Sequence, residues 1–199
     1  MLFLLRHAES EPSPDIVEPE WPLSENGRRQ AVRIVPVLRW CGIDVIYSSP
    51  YRRARETVAP FARASGLGVR THEGLRERRL TERFLDDVET PARKTWSDFS
   101  WSMSDGESNE TAQRRFVATV SCILGRHAGE TIMISTHGTV TALFLHAIDE
   151  RVGVEDWAAL DMPDLIRIHR SHRTGRRTAV GTKTGMLWDR VDLPTTPST

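Results

Sequence analysis

Cysteine is scarce in this chain of 199 residues. Only Cys41 and Cys122 occur, and their spacing forms neither a CxxC pair nor a zinc-binding pattern. Both fall in segments with a helical pattern. We therefore predict that both are buried, reduced thiols of a cytoplasmic protein, which excludes a fold held together by disulfides.

Net charge is also absent, because 27 lysines and arginines balance 27 aspartates and glutamates. No global field attracts nucleic acid or an anionic membrane, so an anion must be bound by locally placed arginines. Long apolar runs are missing too: the leading MLFLL is too short for a signal peptide, and no run could span a bilayer. We predict a cytoplasmic protein with no nucleic-acid or membrane partner. The sequence pattern does not favour any particular oligomeric state.

What the sequence does contain is an alternation of strand and helix patterns. Short apolar runs rich in branched residues predict buried parallel strands at residues 1–5, 43–47 and 131–135. Apolar residues at helical spacing predict helices at residues 23–40, 51–65, 111–127 and 139–149. Ser24 is a plausible N-cap of the first helix. The alternation predicts an α/β fold, a three-layer α/β/α sandwich around a mostly parallel sheet.

No repeat or linker divides the chain, so we predict a single domain over residues 1–199. Residues 81–109 resemble an inserted lid, and residues 193–199 a frayed tail. Four apolar residues of the lid segment either line a substrate pocket or seal the core: Trp96, Phe99, Trp101 and Met103.

Residues that can bind an anion follow each of the three apolar runs. Arg6 and His7 follow the first, Arg53 lies in the helix after the second, and His137 and Gly138 follow the third. In a parallel α/β sheet, ligands bind beyond the carboxyl ends of the strands, so we expect these residues to converge. Arginine forks and helix N-termini bind phosphoryl oxygens. A neutral imidazole beside a bound phosphate is a nucleophile aimed at phosphorus.

Other phosphate chemistries lack their motifs in this chain. There is no GxxxxGK[ST] loop, no loop-and-arginine pattern after either cysteine, and no DxD pair after a strand. The HxxH pair of His169 and His172 lies among arginines, which repel a divalent cation. A solvated strand and turn is the prediction for the basic run there, which contains Arg167, Arg170, Arg173, Arg176 and Arg177. Metal-free chemistry on histidine remains.

The order of several motifs resembles the histidine phosphatase superfamily, whose members share the phosphoglycerate mutase-like fold. LLRHAES is similar to the RHG signature of that family. The further matches, in the family's order, are WPLSENGRRQA, YSSPYRRARETV, LRERRL, DGES and STHGTV. They extend from residue 2 to about residue 145, and an ordered set of this kind is far more specific than an RH dipeptide.

Carried over position by position, the resemblance implies a role for each matching residue. It implies that His7 is the nucleophile that becomes phosphorylated, and that Arg6, Arg53 and His137 form the phosphate pocket. It implies that Glu77 protonates the leaving oxygen and then acts as the base when water attacks the phosphohistidine.

Two further residues complete the expected phosphate contacts, Gly138 and Ser13. Ser13 stands where the family often has an asparagine, which weakens one contact, and Ala8 stands where it usually has a glycine, a sterically small change. The resemblance implies a small phosphorylated metabolite as substrate, with no metal and no cofactor.

Three functions share these residues. The first is a phosphatase acting on a small phosphomonoester. The second is a phosphoglycerate mutase-type phosphoryl transfer, and the third is a non-catalytic phosphate-binding module. Dedicated mutases of the family carry a longer lid, whereas here the interval spans only residues 81–106, which favours hydrolysis. The presence of both nucleophile and acid argues against the binding module.

Overall fold

A six-stranded sheet forms the centre of the molecule, and the computed structural model describes residues 1–170 and 186–194. The strands are β1 (Leu2–Arg6), β2 (Val45–Ser48), β3 (Val69–Thr71), β4 (Ile132–Thr136), β5 (Asp164–Arg170) and β6 (Met186–Val191). Their order is β3-β2-β4-β1-β5-β6, and among these described strands β5 alone points in the opposite direction to the other five. The predicted mostly parallel sheet is confirmed.

Helices cover both faces of the sheet. They are α1 (Glu25–Arg33), α2 (Val35–Trp40), α3 (Arg52–Ser65), α4 (Glu89–Ser97), α5 (Asn109–Arg126), α6 (Gly138–Ile148) and α7 (Val154–Ala158). Successive residues of β1 point to opposite faces. Leu4 belongs to an apolar cluster with Phe116 of α5, whereas Leu5 belongs to a second cluster with Leu38 of α2 and Phe61 of α3. The three-layer α/β/α sandwich is therefore confirmed.

The single helix predicted over residues 23–40 is wrong, because the chain breaks it at Ile34 into α1 and α2. Pro36 has no N–H to continue the helical hydrogen bonds, and its ring crowds the preceding turn. The start of α1 is as predicted, since the Ser24 hydroxyl accepts a hydrogen bond from the Gly27 N–H at 2.9 Å.

Three strands were missed by the sequence prediction, namely β3, β5 and β6. All residues of β3 are exposed, and β6 is mostly half-buried, so neither carries a continuous apolar run. In β5, buried Ile166 and Ile168 alternate with half-buried Arg167 and His169. A strand with one solvent-exposed face lacks the continuous apolar run that identified the strands buried on both faces.

The prediction that both cysteines are buried is wrong. Cys41 is half-buried and Cys122 is exposed, and both are free. The buried residues of α5 lie on one helical face that includes Phe116, Val120 and Ile123, and position 122 points away from it.

Most of the basic run, and His172 of the HxxH pair, lie outside the residues that the structure describes, so the solvated strand and turn stays a prediction there. Arg167 lies in β5 and pairs with Asp189 at 2.5 Å, while residues 171–185 and 195–199 are outside the described part of the chain. Within residues 1–170 and 186–194, no group of three or more histidine, cysteine or acidic side chains could hold a metal ion. No helix of this described part is long and apolar enough to cross a membrane.

Candidate active site

The carboxyl ends of three parallel strands meet at one edge of the sheet. Arg6 at the end of β1 pairs with Thr136 at the end of β4, and the His7 N–H donates to the Thr136 carbonyl at 3.0 Å. From β2, the Ser49 N–H donates to the Ser135 carbonyl at 2.8 Å. These backbone bonds bring the residues that follow each strand into one site, as the sequence predicted.

His7 is held as a neutral imidazole of defined tautomer. Its Nδ1 lies 2.7 Å from the Ala8 carbonyl, which only accepts, so Nδ1 carries the proton. Its Nε2 accepts a hydrogen bond from Arg53 Nε at 3.1 Å and therefore presents a lone pair. Burial, followed by the charge of Arg53, lowers the pKa of His7 well below its ordinary value, and the side chain is 6% exposed.

His137 is buried behind His7. It is 0% exposed, and its Nε2 lies 2.7 Å from the Ser49 hydroxyl, while its Nδ1 has no hydrogen-bond partner. The His7 and His137 rings pack edge to face, with centroids 5.2 Å apart. Burial and the charge of Arg53 also lower the pKa of His137 well below its ordinary value.

We expect these two histidines to make the fold sensitive to mild acid. Because their pKa values are depressed only in the folded chain, the unfolded chain binds more protons below about pH 6.5. The free energy of unfolding therefore falls as the pH drops from about 6.5, by up to about 1.4 kcal/mol per pH unit for each histidine. Urea unfolding at about pH 7 and about pH 5.5 measures the slope. The His7→Gln variant loses one histidine's share of it, and an unchanged slope would contradict the assignment.

Arg53 is fixed by three hydrogen bonds and two rings. Besides the bond to His7, its Nη1 donates to the Glu18 carbonyl at 2.9 Å, and its Nη2 donates to the Glu18 carboxylate at 2.7 Å. The guanidinium carbon lies 5.0 Å from the Tyr51 ring centroid and 5.7 Å from that of Trp21. The planar cation thus lies in contact with the nucleophile, with its orientation set before any ligand binds.

Arg6 lies close against the start of α6, where a larger residue than Gly138 would displace its guanidinium. A Cβ at Gly138 would lie 3.0 Å from the guanidinium carbon of Arg6. One Arg6 nitrogen donates to the Leu160 carbonyl, while Nε is buried without a hydrogen-bond partner. Burial lowers the pKa of Arg6, which nevertheless stays protonated as arginines in proteins do. This cation and the helix N-terminus together favour an anion.

Glu77 is anchored by backbone N–H groups. One carboxylate oxygen accepts from the N–H of Arg78 at 2.8 Å and of Val140 at 3.1 Å, and the other accepts from the N–H of Thr139 at 3.0 Å. Two of these donors belong to the first turn of α6, beside Gly138. The carboxylate is therefore held at the helix N-terminus that also faces Arg6.

A cleft of about 590 Å³ opens in front of this group. Its floor includes five of the residues predicted for the site, namely Arg6, His7, Arg53, Glu77 and Gly138. Ser13 is not among the described residues that line it. Its hydroxyl accepts a hydrogen bond from the Asp15 N–H at 3.2 Å, on the loop beside the cleft. The role of Ser13 in phosphate binding stays a prediction.

The outer wall of the cleft is apolar and comes from two segments. Ile16 and Trp21 lie on the loop after β1, and Phe84 and Val88 lie in the segment before α4. The Trp21 and Phe84 rings meet edge to face, with centroids 6.1 Å apart, so the two segments touch. This wall offers an apolar surface to the organic part of a ligand.

The four lid residues singled out in the sequence do not line this cleft in the described part of the chain. Trp96 packs on the core cluster and against Phe99, with ring centroids 5.5 Å apart. Trp101 lies under the Lys94 ammonium at 4.2 Å. Of the two alternatives, sealing the core describes Trp96, and Trp21 and Phe84 form the aromatic wall instead.

Among the polar residues of the cleft that sequence reasoning missed are Glu18 and Arg78. Glu18 lies in a proline-rich loop with no periodic pattern, and its contact with Arg53 joins residues 35 positions apart. Arg78 is one of three arginines in LRERRL, and only the fold distinguishes them. The proline-rich composition of residues 11–22 was the only signal for the first, and the second had none.

Comparison with known proteins identifies the family of this chain. A model of the histidine phosphatase superfamily (branch 1) matches residues 2–182. Phosphoserine phosphatase 1 of Hydrogenobacter thermophilus is 31% identical, over 68% of this chain and 70% of that protein. A probable phosphoglycerate mutase of Yersinia enterocolitica is 28% identical, over 74% of each chain. A mycobacterial glucosyl-3-phosphoglycerate phosphatase of known structure superposes with a TM-score of 0.68 at 26% identity, over 84% of this chain and 88% of that one.

These matches confirm the family resemblance and the phosphoglycerate mutase-like fold that the motifs predicted. They also support the predicted enzyme class, a phosphatase. With a family match that extends over most of its length, the chain belongs to the histidine phosphatase superfamily, branch 1.

Proposed function

We propose that this protein hydrolyses a small phosphomonoester without a metal ion, through a phosphohistidine on His7. The observation that carries the proposal is the state of the His7 ring, whose Nδ1 proton is held by the Ala8 carbonyl and whose Nε2 lone pair lies at the cleft. The flanking cations, Arg6 and Arg53, supply the charge that a metal supplies in other phosphatases.

The first half-reaction transfers the phosphoryl group to the protein. Arg6, Arg53 and the N-terminus of α6 at Gly138 bind the non-bridging oxygens, and the phosphate displaces the Glu18 carboxylate from Arg53. Glu77 first takes a proton from the monoanionic phosphate ester, and the Arg53 Nε–H turns from His7 to a phosphoryl oxygen, which frees the Nε2 lone pair. That lone pair attacks phosphorus in line, the bond from phosphorus to the ester oxygen breaks, and Glu77 gives its proton to that oxygen. The Ala8 carbonyl stabilises the positive charge that develops on the ring.

The second half-reaction returns the protein to its starting state. Glu77, now a carboxylate, takes a proton from a water molecule as that water attacks phosphorus. The P–N bond breaks, inorganic phosphate leaves together with that proton, and Glu77 is again a carboxylate and His7 a neutral imidazole. We keep His137 in the phosphate pocket, where it also packs behind the His7 ring, and we assign Ser13 to a phosphate contact through its O–H, which remains free to donate while its oxygen accepts from the Asp15 N–H.

The proposal includes the predicted setting of the enzyme: a single domain in the cytoplasm, with residues 81–109 as a lid over a small phosphorylated metabolite. The lining of the cleft by residues 82–88 supports the lid. Phosphoglycerate mutase-type transfer uses the same residues, and the similarity to a probable mutase keeps it as the second candidate. The short interval between Thr81 and Gly106 favours hydrolysis.

The test is an assay of the purified protein on p-nitrophenyl phosphate in the presence of a chelator. We expect hydrolysis that the chelator does not abolish, with retained activity at mildly acidic to neutral pH because His7 stays neutral there.

A parallel assay follows interconversion of phosphoglycerates with and without a bisphosphorylated primer. Activity that requires an added metal would refute the proposal, and primer-dependent interconversion exceeding hydrolysis would establish the mutase.

A further inference from the structure

Arg78 is a buried cation in the cleft, and two of its nitrogens have no hydrogen-bond partner among the residues that the structure describes. Its side chain is 5% exposed, it lines the cleft directly after Glu77, and its Nε and Nη1 atoms are buried with no hydrogen-bond partner. Arg6 and Arg53 differ in that each guanidinium has a protein acceptor, because Arg6 donates to the Leu160 carbonyl through one nitrogen and Arg53 donates to Glu18. A buried guanidinium with unsatisfied N–H groups costs free energy unless an anion or another acceptor reaches it.

The acidic residues around Arg78 are already committed to other donors. The charges of Glu77, Glu107 and Glu18 act on it, but none of their carboxylates accepts a hydrogen bond from its Nε or Nη1. Backbone N–H groups hold Glu77, as described above. Glu107 pairs with Arg76 at 2.9 Å and with Arg115 at 2.8 Å, and Glu18 pairs with Arg53. The N–H groups on Nε and Nη1 of Arg78 are therefore available to an acceptor on a ligand.

We propose that Arg78 forms a subsite for a carboxylate on the organic part of the substrate, so that the enzyme selects acidic phosphomonoesters. This inference rests on the proposed phosphatase function. The reacting phosphate is already bound by Arg6, Arg53 and the N-terminus of α6. Arg78 lines the same cleft as Glu77, the group placed at the leaving oxygen, and the charge of Glu77 acts on it, so we place its guanidinium on the side of the leaving group. A guanidinium fork binds a carboxylate through two parallel hydrogen bonds.

The experiment compares phenyl phosphate with its ortho-, meta- and para-carboxylated analogues, which place a carboxylate at three distances from phosphorus. We expect at least one carboxylated analogue to have a kcat/KM at least about tenfold above that of phenyl phosphate. In the Arg78→Met variant this preference is lost, because the apolar side chain keeps most of the volume but offers no donor. The loss appears mainly in KM if the carboxylate is bound equally in the ground and transition states.

Arg79→Met is the matched control, because Arg79 is exposed, pairs with Glu82 at 2.9 Å and does not line the cleft. It keeps the preference for the carboxylated analogue. The subsite is refuted if the unaltered protein shows no preference, or if Arg78→Met lowers kcat/KM equally for all four esters, which would make Arg78 a ligand of the reacting phosphate. If none of the four esters is hydrolysed, the phosphatase function itself fails, a result distinct from either.

Discussion

The His7→Ala variant is expected to lose hydrolysis of p-nitrophenyl phosphate by at least about a thousandfold in kcat. Alanine removes the Nε2 lone pair, and no other described side chain of the cleft presents a neutral nitrogen between two arginines. Arg6 and Arg53 remain, so the variant still binds inorganic phosphate. Steady-state kinetics and phosphate binding by calorimetry measure the two effects separately.

A trapping experiment shows whether the phosphoryl group passes through His7. The unaltered protein, quenched during turnover of labelled substrate, yields a phosphoprotein that is stable in alkali and labile in acid, as a P–N bond is; His7→Ala yields none. The control is His127→Asn, a histidine at the opposite, amino end of β1 beside Met1 and Leu2, and it keeps activity within about twofold. Full activity of His7→Ala, or an alkali-labile phosphoprotein, would refute the mechanism.

The Glu77→Gln variant is expected to lose about a hundredfold or more in kcat/KM on an alkyl phosphate and distinctly less on p-nitrophenyl phosphate. An alkoxide leaves poorly unless it is protonated, whereas p-nitrophenolate leaves without help. The measurement is kcat/KM over a series of esters with increasingly acidic leaving groups. The variant's rates depend more steeply on the acidity of the leaving group than those of the unaltered protein.

This steeper dependence separates proton transfer from a structural effect. Glutamine keeps one oxygen for the N–H groups of Arg78 and Val140, but its amide group turns a donor toward the Thr139 N–H, so some loss of stability is expected. A purely structural loss would lower the rates of all esters by the same factor. Glu73→Gln, an exposed carboxylate four residues earlier, is the control and leaves the series unchanged.

The sequence predicted the centre of the site because its residues sit at the ends of strands with a strong signal. β1, β2 and β4 are apolar on both faces, so the positions of Arg6, His7 and His137 followed from the pattern. Each of these strands ends one residue later than predicted. The polar end residue, such as Arg6 opposite Thr136, still pairs with its neighbour although it breaks the apolar run.

The rest of the site depends on burial that local sequence does not encode. The motif LRERRL contains three arginines, of which Arg76 pairs with Glu107, Arg79 is exposed and Arg78 is buried with two nitrogens that have no hydrogen-bond partner in the described chain. Nothing in the spacing distinguishes them, because their surroundings come from the turn before α5 and from the loop after β1. The partner of Arg53 was unpredictable for the same reason, since Glu18 reaches it only when that loop folds over α3.

The position of β1 in the sheet determines how readily the backbone hydrogen bonds next to His7 can break. The strand is hydrogen-bonded to β4 on one side and to β5 on the other, and the His7 N–H continues the first ladder through the Thr136 carbonyl. Leu4 and Leu5 have no exposed surface. Amide protons in such a strand exchange with solvent only when the largest cooperative unit unfolds. We therefore expect the backbone that carries the reactive imidazole to be displaced only when the sheet itself unfolds.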